Sequence, residues 1–256
     1  MWWLVWFWVA APKPPVAPAF SPPDHSILLQ RSGQVRLTWN RPGRRFTVRV
    51  WQGDTLCSQV TTTDRELPLS VEPGGQYRWT LQSSSGGAVE SHVFSVAEKL
   101  EYHADGRSGV VLADGNGQPG TNGDHVKVEL VRDAHGMNLY IFEPRQVRRY
   151  LFCEPGLRFS STARGGNGGK GRDGISYSRH PWGCSGGAAG WGGQIRVVTR
   201  TAPWRDYLDL DVTAGKAGAG GAGGVYIDGD ETVEAPDGPP GRLGQGGKVE
   251  TQIAEP

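Results

Sequence analysis

The side chains able to do chemistry are few, and none converge into a familiar catalytic pattern. Gly168-Gly169-Lys170-Gly171-Arg172-Asp173-Gly174-Ile175-Ser176 fits the calcium-binding nonapeptide pattern. Such sites use tandem copies, each supplying half of the ligands, and this chain has one. Asp114-Gly115-Asn116-Gly117-Gln118 begins like an EF-hand loop, but Pro119 replaces the sixth-position glycine and His125 the twelfth-position glutamate. Gly183-Cys184-Ser185-Gly186-Gly187 superficially resembles the nucleophile region of serine proteases. Cys184 stands where an aspartate belongs, and no upstream histidine motif accompanies it. The nucleophile elbow, the phosphate-binding loop and the His-Glu-x-x-His zinc motif are absent, and the six histidines are scattered. The sequence therefore predicts a protein that is not an enzyme, with no cofactor and no metal.

Two groups of residues suit contact rather than catalysis. Tyr177, His180 and Trp182 lie in a short segment between two glycine-rich runs, and exposed aromatics are favoured in contact patches. The rival reading is that Trp182, Trp191 and Trp204 cap apolar ends of the glycine-rich half. Arg44 and Arg45, flanked by Arg36, Arg41 and Arg49, make a basic patch that reads either as a solvated strand face or as a site for an anionic polymer.

The strongest positional signal is glycine. The chain has 256 residues, 39 of them glycine and 18 proline. Of those glycines 32 lie beyond residue 100. They fall in phase three apart: Gly117 to Gly123, Gly165 to Gly174, Gly187 to Gly193, Gly215 to Gly224 and Gly238 to Gly247. Four of the runs exit into short alternating segments, at Val126, Ile195, Val225 and Val249. Collagen needs longer uninterrupted triplets, and a flexible linker explains composition but not phase. A bundle of left-handed threefold helices within one chain explains both. Glycine at every third position bares a stripe, and backbone groups unpaired within such a helix bond to its neighbours. Asn167, Lys170, Arg172 and Asp173 would then point outward.

Residues 22–97 alternate with the period of strands, as in Val35, Leu37 and Trp39 or Phe46, Val48 and Val50, with turns between. That spacing predicts an antiparallel sandwich. Residues 98–256 form the glycine-rich domain, 12–21 a proline-rich stalk, and 1–11 an apolar signal or anchor. Cys153 and Cys184 share the second half and are expected to form a disulfide, leaving Cys57 as a buried structural thiol. The charge balance, 27 basic against 26 acidic residues, argues against nucleic-acid binding, and a mean hydropathy of −0.45 excludes a polytopic membrane protein.

Leu37-Thr38-Trp39-Asn40-Arg41-Pro42 and the stretch from Leu67 through Tyr77, Trp79 and Leu81 resemble fibronectin type III modules. The resemblance implies a mainly β fold with Tyr77 as a corner tyrosine whose hydroxyl returns to the backbone. In repeat character the second half resembles glycine-rich domains of bacterial surface proteins and phage tail-fibre adhesins. Together these imply an exported envelope or cell-surface protein with a structural or adhesive role, placed in the periplasm, outer membrane or cell surface. Its partners would be other envelope proteins or surface polysaccharide, with membrane contact only through the N-terminal segment. The alternatives are a carbohydrate-binding accessory module or degenerate hydrolase, and a subunit of a surface filament or machine.

Overall fold

A computed structural model describes residues 20–86, 89–200 and 204–254. The expected export segment and nearly all of the proline-rich stalk lie outside them. Among the described residues no helix is long and apolar enough to cross a membrane. The fold is mainly β, as expected.

The first half contains β1 (Phe20–Ser21), β2 (Ser26–Leu29), β3 (Gln34–Trp39), β4 (Phe46–Gln52), β5 (Thr55–Thr62), β6 (Glu66–Ser70), β7 (Gln76–Ser83) and β8 (Glu90–Val96). Strands β1-β3-β6 form one layer, and β2-β8-β7-β4-β5 lie in the other. The alternation decides which side chains meet. Val35, Leu37 and Trp39 from one layer pack against Phe46, Val48, Val50 and Trp79 from the other, all nearly inaccessible to solvent. Burying a large apolar side chain contributes about 1.5–3 kcal/mol. Tyr77 stacks on Phe94 with ring centroids 5.3 Å apart, and its hydroxyl accepts the Glu72 N–H at 2.9 Å.

The second half supplies β9 (Glu101–His103), β10 (His125–Asp133), β11 (Gly136–Phe142), β12 (Val147–Phe152), β13 (Phe159–Thr162), β14 (Gln194–Thr199), β15 (Leu208–Asp211), β16 (Val225–Asp228), β17 (Glu231–Glu234) and β18 (Lys248–Ile253). Strand β2 pairs in parallel with β8 on one side and β12 on the other. One ten-stranded sheet, β18-β14-β10-β11-β12-β2-β8-β7-β4-β5, therefore runs through both halves. The two cores interlock across it, with Leu151 of β12 in the first core and Leu29 of β2 in the second. A parallel sheet β15-β13-β9 faces β10, β14 and β18, and Phe159, Leu208, Val128 and Ile195 fill the space between them.

Six extended segments outside any strand or helix connect these two sheets: residues 104–111, 117–124, 163–174, 181–193, 212–224 and 235–247, here runs 1 to 6. Odd runs leave β9, β13 and β15, and even runs return into β10, β14 and β18. Run 3 donates from Gly165, Gly168, Gly171 and Gly174 to Thr213, Lys216, Ala219 and Ala222 of run 5. It also donates from Gly166 and Gly169 to Thr121 and Gln118 of run 2, and from Arg172 to Gly115 in the turn before it. Run 4 repeats the pattern, donating to run 3 from Cys184, Gly187, Gly190 and Gly193, and to run 6 from Gly183, Gly186, Ala189 and Gly192. Runs 2 to 4 thus bond to the run before them and to the run two places on, with period three. The bond lengths of run 3 are 2.7–2.9 Å.

Such contact requires glycine. A Cβ on Gly117 would stand 2.0 Å from the Gly169 oxygen, and nothing in a backbone can rotate aside. Asn167, Lys170, Arg172 and Asp173 are all exposed, as expected, and two of them also bridge runs. Asn167 and Asp173 reach across to run 5, where their side-chain oxygens accept the N–H groups of Lys216 and Ala222 at 2.8 and 2.9 Å. Asn122 bridges run 2 to Trp191 of run 4 in the same way, and Asn116, in the turn before run 2, reaches Ser185. An orphan N–H is costly, so a side chain that satisfies it stabilises the lattice.

Candidate functional site

The strands lie at one end of the runs, so whatever joins run to run at the other end forms a tip. Three connections stand there: residues 112–116, residues 175–180, and the β16–β17 hairpin with its turn at Gly229 (φ 65°).

The middle loop is tightly specified. Ile175 N–H donates to His180 O at 2.9 Å and Ser178 Oγ–H to Ile175 O at 2.6 Å. The same Ser178 oxygen accepts the His180 N–H at 3.1 Å. Tyr177 N–H donates to Val225 O at 2.6 Å, while Val225 N–H donates to Ser176 Oγ at 3.0 Å, locking loop to hairpin. Tyr177 takes a left-handed backbone (φ 55°), which is uncommon for a side-chain-bearing residue and costs about 1–3 kcal/mol. Its ring is nevertheless 70% exposed, so nothing in the fold recovers that cost through burial.

Trp182 (54% exposed) lies beside Tyr226, ring centroids 6.3 Å apart at 41°. Ile227 (64% exposed) completes a shallow groove with Tyr177, Arg179 and Pro181. The arrangement offers flat apolar faces for stacking, an adjacent guanidinium, and exposed His180, on a backbone that is already ordered. Rigid aromatic contacts lose little entropy on binding. Tyr177 and Trp182 line this one groove. Tyr226 and Ile227 were missed, although their segment, like that of Tyr177, is a short interruption between two glycine runs.

Arg44 and Arg45 are exposed in the β3–β4 connection on the sandwich, separate from the tip. Of their neighbours, Arg41 pairs with Glu90 and Arg36 with Glu66, which leaves the patch less basic than its composition. Asp173 of the calcium-like nonapeptide is occupied by Ala222 and by Lys170, whose ammonium holds the carboxyl below the usual carboxylate range.

The expected disulfide is corrected: Cys57, Cys153 and Cys184 are all free thiols. Cys153 follows β12 at the strand end, lining a groove with Leu28, Gln34 and His135, whereas Cys184 sits in run 4 near Asp114. The strands and runs that fix each residue put the two in different layers of the molecule. Cys57 is also exposed on edge strand β5, not buried. Cys153 is exposed as a residue, but burial of its thiol, reinforced by Glu154, pushes it up to about 12. Because the thiolate is the nucleophile, Cys153 should react at least ~100-fold more slowly than an ordinary exposed thiol at pH 8. Timed alkylation with mass-spectrometric mapping should therefore find Cys57 labelled first. Equal rates at the two sites would show that the Cys153 thiol is solvated.

No protein-family model, curated protein or solved structure gives a significant match to this chain.

Proposed function

We propose that this is an exported, non-enzymatic structural or adhesive protein of the cell envelope. In this reading the six runs are polyglycine II helices bundled into a rigid mount, and the aromatic tip is its contact surface. One observation carries it above the rest: backbone bonds at period three tie neighbouring runs together and deliver the Tyr177 loop and the β16–β17 hairpin to the same end. An ordered glycine backbone costs more entropy than any other, so bonding on several sides is needed to offset it. The layer order β1-β3-β6 against β8-β7-β4-β5, with the Tyr77 hydroxyl on Glu72 N–H, supports the fibronectin type III resemblance and a spacer or docking role for that half. The partner class is surface polysaccharide or another envelope protein.

A double variant, Tyr177→Ala with Trp182→Ala, tests the tip against an array of immobilised polysaccharides and envelope preparations. Loss of two stacking contacts predicts retention weakened at least ~30-fold, since each aromatic anchor is worth about 1 kcal/mol or more. The melting temperature should stay unchanged, because both rings are exposed. Parental retention by the double variant would remove the tip from the reading. Cleavage of any polysaccharide would overturn the non-enzymatic assignment.

A further inference from the structure

Strand β18 ends the ten-stranded sheet and pairs only with β14. Lys248 N–H donates to Gly193 O and Ala254 N–H to Thr199 O, both at 3.0 Å. In a parallel pair alternate residues face the partner, so the even-numbered residues of β18 point inward to β14. The N–H and C=O groups of Val249, Thr251 and Ile253 consequently face the open edge. Among the described residues none of these groups is paired.

Natural sheets blunt such edges with proline, bulges or inward charges. This molecule does so elsewhere. Run 6, directly above β18, carries Pro236, Pro239 and Pro240, which have no N–H to offer. At the opposite end of the sheet the β4–β5 pairing is broken by a register shift at Val50/Trp51. Strand β18 contains neither proline nor glycine and pairs in unbroken register over six residues. Its core-side residues are also left uncovered. Val249 and Ile253 lie on the face of Ile195 and Val197, which are fully buried, yet are 37% and 76% exposed. Val249 and Thr251 share an open groove with Trp204, Leu208 and Leu210, and β15 is likewise the last strand of its sheet. The sandwich is open along this side in both layers.

We propose that a second copy of this chain closes it, the two β18 strands pairing antiparallel about a twofold axis at Thr251. In that register Val249 faces Ile253 of the second copy, and Ile253 faces its Val249, covering apolar surface that each copy exposes alone. Thr251 meets Thr251, and Glu250 lies opposite Gln252. All three outward-facing residues fall in hydrogen-bonded pairs, giving about six new main-chain bonds. A slip to an axis at Glu250 would set two carboxylates directly opposite each other, which is destabilising. A slip to Val249 would force run 6 against the end of the partner strand. In this register the charges and apolar residues of β18 are self-complementary, and because a twofold closes, the assembly stops at two.

Thr251→Pro is the sharpest test. Its N–H points outward, so proline there removes a donor from the edge without removing one from the β14 pairing. Sedimentation equilibrium of the full chain from ~1 to ~100 μM should show a monomer–dimer equilibrium, since association follows concentration. Thr251→Pro should weaken it at least ~30-fold while leaving the melting temperature of the monomer unchanged. Ile253→Lys, which alters only an exposed side chain, is the companion variant should the proline disturb folding, and it should weaken the dimer as well. Monomer across the whole range overturns the assignment. So does a dimer that persists in both variants, which would place the contact elsewhere, and so does an open-ended series of larger species.

Discussion

A protein carrying Gly168→Ala should unfold well below the parent, whereas one carrying Gly246→Ala should unfold with it. Both changes add a single methyl group to a glycine in the same lattice, and both positions have ordinary backbone angles. A Cβ on Gly168 would lie 2.0 Å from the Gly187 oxygen and 2.6 Å from its carbon. That oxygen already accepts the Gly218 N–H at 2.9 Å, so runs 3, 4 and 5 meet there and no side chain can move to make room. At Gly246 the nearest atom is Val212 O at 3.9 Å, an ordinary contact. Overpacking a filled interior costs about 1–3 kcal/mol and more where only backbone can yield. A cost of about 3 kcal/mol would lower the melting temperature of a chain this size by roughly 6–12 °C. Calorimetry of the three proteins checks this. Indistinguishable transitions for Gly168→Ala and the parent would mean that the runs do not touch as described.

Phe159→Ala should destabilise the second half by about 3–5 kcal/mol, and the loss should travel into the glycine runs. Phe159 is fully buried at the start of β13, its ring 5.0 Å from that of Tyr150. Strand β13 is the middle of its three-stranded sheet and continues directly into run 3. Run 3 in turn bonds to runs 1, 2, 4 and 5. The buried hydrophobic side chains of the runs are all alanine, at Ala104, Ala163, Ala189 and Ala235, so the sandwich beneath must fix where each run begins. Amide hydrogen exchange should show the Gly165, Gly168 and Gly171 amides losing protection together with those of β10 and β14. Ile227→Ala, which truncates an exposed side chain, should leave both unchanged. Full protection of the run amides in Phe159→Ala would mean that the bundle stands without the core.

The open edge at β18 and the aromatic tip lie at different places along the same architecture. Pairing at β18 would leave the distal loops of both copies free, so the two readings can fail separately. Loss of surface retention would leave the oligomeric state untouched, and the reverse also holds.

Much of this organisation is legible in the residues themselves. Alternation at Val35, Leu37 and Trp39 fixes which side of β3 is buried, because side chains on a strand change face at each residue. Glycine at every third position announces close backbone contact at that period, since a Cβ at those positions would strike a neighbouring backbone oxygen. The Tyr177–Trp182 segment, interrupting two such runs, is recognisable as a connection at their end. What those residues cannot specify is which run neighbours which. Backbone N–H groups reach Asn side-chain oxygens across 69 residues at Asn116–Ser185 and 49 at Asn167–Lys216, beside backbone-to-backbone bonds whose chemistry is the same at every triplet. The strands beneath settle that choice: the 69-residue offset continues unchanged into the pairing of His125 with Gln194. The same tertiary placement brings Tyr226 and Ile227 to the tip, keeps Cys153 and Cys184 apart, and threads β2 between β8 and β12. Local sequence sets the period and the face of each element; only packing over the whole chain sets their order, because the energies that distinguish one order from another reside in contacts between residues far apart along it.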